Sequence, residues 1–219
     1  MIKKVIAAAA IGKALSASIS EGAALEQSLG GIETLFKDSA DKVKANAAKA
    51  YQTAGMSAND YMELTTSFSA SLLSSLAGDT SKAADVADMA MVDMSDNANK
   101  MGTNMEDIKN AYQGFAKQNY TMLDNLKLGY GGTKSEMERL LADAQKISGV
   151  EYNIDNLSDV YSAIHVIQGQ LDITGTTAKE AATTISGSFN QMKAAAKNVM
   201  GEIALGMEKA EPTIMQRQP

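Results

Sequence analysis

The chain has no cysteine and no tryptophan, one histidine, and two prolines in 219 residues. Without cysteine there is neither a disulfide framework nor a thiolate metal site. Both prolines, Pro212 and Pro219, fall in the last eight residues, so nothing of that kind breaks a helix earlier. Aromatics are 5% of the chain, too few for a β-sandwich. The 20 basic and 26 acidic residues are dispersed, for a net charge of −6. No basic block tracks a phosphate backbone, which argues against sequence-specific nucleic-acid reading. No stretch reaches the ~18 apolar residues of a membrane span. The nearest, Val5 to Ile11, is short, alanine-rich and followed by Lys13. Its two readings are an Ala-rich helix with a basic start and a secretory signal over residues 1–18, cleaved near Ser16–Ser18.

Helical periodicity is abundant. An Ala/Ser-rich helix over roughly 3–20 carries Val5, Ile6, Ile11, Leu15 and Ile19. Leu25 and Leu29 mark a second stretch reaching Gly30-Gly31, a hinge or turn, after which helix resumes from Ile32 to about Ala54. Gly55 suits a helix stop and Ser57 an N-cap with Asp60 three residues on, while Met56 and Tyr61 occupy the positions of a hydrophobic staple. Tyr61, Leu64, Phe68, Leu72 and Leu76 then form one face. Gly78 ends that helix. Asp79 or Thr80 caps the next, striped by Ala83, Ala87, Ala90, Met94, Ala98 and Met101 and closed by Gly102. Thr103, Thr133 and Thr177, each with a Glu three residues on, read as capping boxes. They open helices bearing Ile108, Tyr112 and Phe115; Met137, Leu140, Leu141, Ala144 and Ile147; and Ala181, Ile185, Phe189, Met192, Ala196 and Val199. Between them lie a short helix around Leu123 and Leu126, the turn Gly129-Tyr-Gly-Gly132, the stop Gly149, a brief extended stretch from Val150 to Ile154, and an Asn156-capped helix with Leu157, Val160, Ile164, Ile167 and Leu171. The expectation is an all-α bundle or array of eight or nine amphipathic helices, compact or elongated. It divides into N-terminal Ala-rich helices (1–54), a central set (55–149), C-terminal helices (150–211) and a frayed tail (212–219).

Reactive chemistry is hard to assemble from these residues. His165 lies on a helix without a second ligand or nucleophile at helical spacing, so its expected role is structural. The glycines at 129–132 have no Gly-Lys-Ser/Thr after them and no strand before them, which fits a wide turn better than a phosphate cradle. Asp85, Asp88, Asp93 and Asp96 read as a solvated helix face. The 14 methionines, several between Met56 and Met105, suit either a loosely specified core or an adaptable binding surface. No catalytic, cofactor-binding or metal-binding residue is expected, and no enzyme. A peptidoglycan hydrolase would need paired carboxylates in a cleft or a Cys/His or zinc constellation.

Several segments resemble the core of phage tail tape measure proteins, found in long-tailed phages and prophages of Gram-positive bacteria. They are Gly55-Met-Ser-Ala-Asn-Asp-Tyr-Met62, Thr65 to Leu73, Asp93-Met-Ser-Asp-Asn-Ala-Asn-Lys-Met-Gly102, Ile108 through Thr133, Ile173 to Ile185, and Gly187-Ser-Phe-Asn190. In order, they cover roughly residues 20–196. The resemblance implies a mostly helical structural component of the tail, involved in assembly and in setting tail length. It implies tail-tube, tail-tip and assembly-chaperone partners, self-association, and a place in the tail lumen after assembly in the host cytoplasm. Family members are longer, which makes a fragment, a prophage remnant or one piece of a split gene the expectation for this chain. The other functional reading is a secreted or surface helical interaction domain that uses residues 1–18 as a signal.

Overall fold

The computed structural model describes residues 22–183 and 193–205, and among them it contains helices and turns but no strand. The expected helix at 3–20, the signal reading of 1–18, the positions Ile185, Phe189 and Met192, and the tail lie outside the described residues. The helices are α1 (22–36), α2 (Ala40–Thr53), α3 (Ala58–Ser75), α4 (Thr80–Met101), α5 (Met105–Phe115), α6 (Lys134–Ser148), α7 (Leu157–Gln170), α8 (Thr176–Thr183) and α9 (193–205). Short 3-10 turns occupy Lys37–Ser39 and Leu123–Leu126.

Local signals set many boundaries. Ser57, Asp79, Thr133 and Asn156 each accept a backbone N–H from the third residue beyond, satisfying a donor that the first helical turn leaves open. Gly102 and Gly149 stop their helices in the left-handed region, at φ +62° and +72°. Four local expectations need correcting. Gly30 and Gly31 lie inside a continuous α1, where a Cβ on Gly31 would come within 3.2 Å of Thr66 Cγ2, so the residue serves close packing and not a hinge. The break falls later, at Lys37, whose φ is +48°. Asn104, not Thr103, caps α5. Glu136 reaches back past Thr133 to the Gly131 N–H, so that capping box is only half formed.

Helix α4 is the axis of the bundle. It packs against α2, α3, α5, α7 and α8, while α6 is laid on α7. Alanines make this possible: Ala83, Ala84, Ala87 and Ala90 on α4 and Ala40, Ala47 and Ala50 on α2 are buried, and two helices lined with alanine can approach closely. Larger side chains fill the space among α3, α5 and α7. Phe68 meets Tyr161 edge-on at 5.6 Å, Tyr161 lies 5.0 Å from Tyr112, and Tyr112 continues to Phe115 and Tyr120. This aromatic run joins α3, α7 and α5, and such pairs add about 0.5–1.5 kcal/mol beyond the area they bury. Met62, Met91 and Met94 are fully enclosed, so these methionines serve the core. One cluster of buried residues runs from Ile32 to Ile173. The expected inward stripes overreach at the ends of α6 and α7, where Ile147 and Leu171 are 47% and 45% exposed, and in the middle of α9, where Val199 is 54% exposed.

Two backbone positions give measurable consequences. A Cβ on Gly132 would fall on the Thr121 carbonyl, so Gly132→Ala should destabilise the chain by about 1–3 kcal/mol in urea unfolding. Ala77 holds a left-handed conformation at φ +52°, so Ala77→Gly should stabilise it by about 1 kcal/mol.

Candidate functional site

The acidic run on α4 departs most from its expected place. Only Asp85 behaves as a solvated residue, paired with Lys42 at 2.6 Å. Asp88 accepts a hydrogen bond from the Tyr61 hydroxyl at 2.8 Å. Asp93, Asp96 and Asn97 are buried, at 1%, 0% and 0% exposure. The expectation of a solvated face fails because α4 is surrounded: its C-terminal half has α7 on one side and the turn into α8 on another. Asp93, Asp96 and Asn97 stand at i, i+3 and i+4, on one face of the helix.

Each buried group meets a partner from a different part of the chain. Asp93 receives His165 of α7, with Nδ1 2.8 and 3.0 Å from the two carboxylate oxygens. Asp96 accepts the backbone N–H groups of Gly175 and Thr177 at 2.5 and 2.8 Å. The sequence reading gave the start of the last helix to a Thr177 capping box; the structure gives it to this carboxylate some eighty residues away. Asn97 donates to the Leu126 carbonyl at 2.9 Å. Ser95, on another side of α4, donates to the Ala54 carbonyl at the end of α2. Tyr161 donates to the Tyr112 carbonyl nearby. Tyr112 Oη and both ends of Gln168 are also enclosed, without a hydrogen-bond partner of good geometry.

The electrostatics follow from burial. Desolvation raises the Asp93 carboxyl above its ordinary value, against the opposing pull of His165. The hydrogen bond to Asp93 raises His165 above 6.5, against partial desolvation of the ring. Burial, followed by the nearby Asp93 charge, pushes the Tyr112 phenol well above 10. Among the described residues, no group of three or more His, Asp or Glu side chains gathers to hold a metal.

Two other features were candidates for binding. At Gly129–Gly132, Glu136 occupies the Gly131 N–H, and Arg139 donates to the Gly129 carbonyl while lying 4.3 Å over the Tyr130 ring. The turn is thus closed by its own side chains, and Glu136 is lowered to about 2 chiefly by its hydrogen bond to Arg139. A cavity of about 270 Å³ lies where α9 crosses α1, α2 and α3, with Leu25, Leu29, Ala47, Met62, Gly201 and Leu205 among its walls.

The sequence did carry a signal for the buried edge. Asp93-Met-Ser-Asp-Asn-Ala-Asn99 places five short polar residues inside a helix, where their propensity is poor. Such a run indicates side chains held there by tertiary bonds. No family model, no curated protein and no solved structure matches the chain. Among the described residues, no helix is long and apolar enough to cross a membrane.

The pair predicts a pH dependence. A folded-state pKa of His165 above the unfolded value contributes stability that is full below about 6.5 and fades as pH rises through the raised value. Asp93, also raised, binds its proton more tightly when folded, so its contribution likewise diminishes as pH rises. The melting temperature should therefore fall from mildly acidic to mildly alkaline pH. His165→Gln should flatten the histidine part of that slope, as thermal melts across pH 5–9 would show. A melting temperature that rises steadily over this range would contradict the assignment.

Proposed function

We propose that the chain is a structural component of a phage tail, the core of a tape measure protein that acts in tail assembly and length determination. The observation that carries this reading is the order of the resembling segments over roughly residues 20–196. Their placement adds support. Gly55 to Met62 makes the α2–α3 turn and its Ser57 cap. Asp93 to Gly102 is the buried polar edge of α4 together with its glycine stop. Ile108 to Thr133 runs from α5 through the Gly129–Gly132 turn, and Ile173 to Ile185 includes the turn held by Asp96. The resembling words therefore fall largely on residues that decide how the helices meet.

In this reading the partners are other tail proteins and assembly chaperones, and the working surface is helical. As folded, the 22 residues of α4 extend about 33 Å, whereas 219 residues of continuous helix would reach about 330 Å. A ruler role in the lumen of a tail tube therefore requires the bundle to be drawn out. Val199 and Ile203 give α9 an exposed apolar side, at 54% and 52% exposure, which suits contact with another helix.

Size-exclusion chromatography with light scattering, alone and with phage tail-tube and assembly-chaperone proteins, tests the proposal. Self-association or a stable complex is expected, and Val199→Lys with Ile203→Glu should weaken the self-association at least severalfold. A sharp monomer peak that none of those proteins shifts would count against the reading.

A further inference from the structure

The core closes before the described chain does. Among the residues whose burial is described, its cluster of buried residues ends at Ile173, and none of those on α8 or α9 belongs to it. The apolar residues that α9 buries are small and lie outside that cluster: Ala194 and Ala204, with Gly201 beside them. Gly22 of α1 leaves room for Ala204, since a Cβ there would collide with the alanine methyl. Under this layer is the cavity of about 270 Å³, so α9 does not fill the groove it covers.

Polar bonds fasten the layer instead. At one end the buried Asp96 carboxylate takes the Gly175 and Thr177 N–H groups, and the Thr176 hydroxyl lies 3.3 Å from the Asp96 carbonyl. At the other end Asn198 Oδ1 accepts the Ala58 N–H in the first turn of α3 at 2.8 Å, and Lys197 meets Asp60 at 3.3 Å. Each end is thus a helix N-terminus capped by a side chain from a distant helix. Bonds of this kind are directional and weaken steeply once their geometry is lost.

We infer that α8 and α9 form a strap that opens from a bundle which itself stays folded, with Asp96 and Asn198 as its two clasps. Regions with few buried apolar contacts open at lower free energy than the core. Opening bares the groove formed by Leu25, Leu29, Ala47 and Met62 without unfolding α3, α5 or α7. The inference is independent of the function proposed above.

Hydrogen exchange followed by mass spectrometry on the full chain tests it. In the wild-type chain, amides of α8 and α9 should be protected yet exchange at least tenfold faster than those of α3, α5 and α7. Asp96→Ala should speed exchange in α8 by a further tenfold or more, Asn198→Ala should do so in α9, and both should leave α3, α5 and α7 at wild-type rates. Asp96→Asn, which keeps one acceptor oxygen, should fall between. The strap is refuted if α8 and α9 exchange at the rate of the core, or if they show no protection in the wild-type chain. It is equally refuted if the substitutions deprotect the core by the same factor, or if neither Asp96 variant folds.

Discussion

A carboxylate removed from water costs several kcal/mol unless charge or hydrogen bonds meet it. Helix α4 buries two, Asp93 and Asp96, together with Asn97 one residue on. Their partners are His165 on α7, the backbone at Gly175 and Thr177, and the Leu126 carbonyl. Those three partners lie in three separate parts of the chain. An alanine surface is smooth, and methionine adapts to whatever it meets. The polar edge therefore fixes register alongside the aromatic run that joins α3, α5 and α7.

The same device recurs at helix ends. Ser95 closes the last turn of α2 through the Ala54 carbonyl, Asn156 reaches the Ser75 carbonyl at the end of α3 while capping α7, and Asn198 caps the start of α3. Tyr120 donates to the Ile154 carbonyl, tying the segment after α5 to the one before α7. A helix end that takes its hydrogen bonds from another helix is stable only in the assembled bundle. Local signals and tertiary contacts thus depend on each other, which is the consistency expected of a chain that specifies one fold.

What could be read from the sequence divides along that line. The helical class, the Ser57 and Asn156 caps and the stops at Gly102 and Gly149 are decided within a turn of chain, and their residue types announce them. The Lys37 break has no such announcement, because a lysine at φ +48° is held there by its surroundings and not by its own preference. At Thr177 the local pattern of a capping box gives way to Asp96 of another helix, which takes the backbone N–H. On α9 the periodicity selected Ala196 and Val199 as inward residues; the structure buries Ala194, Gly201 and Ala204 instead, because close approach to Gly22 favours small side chains over large ones. As for the candidate site, the sequence shows a carboxylate run, but nothing in its spacing says which helices surround it.

If the edge of α4 sets register, removing its polarity should spare helix formation and lose the unique packing. The direct measurement compares far- and near-ultraviolet circular dichroism, with thermal unfolding, for a chain carrying Asp93→Leu, Asp96→Leu and Asn97→Leu. The account predicts helical content close to the wild-type level, loss of the near-ultraviolet signal from Tyr112 and Tyr161, and a broadened melt. An unchanged near-ultraviolet spectrum with an equally sharp transition would contradict it.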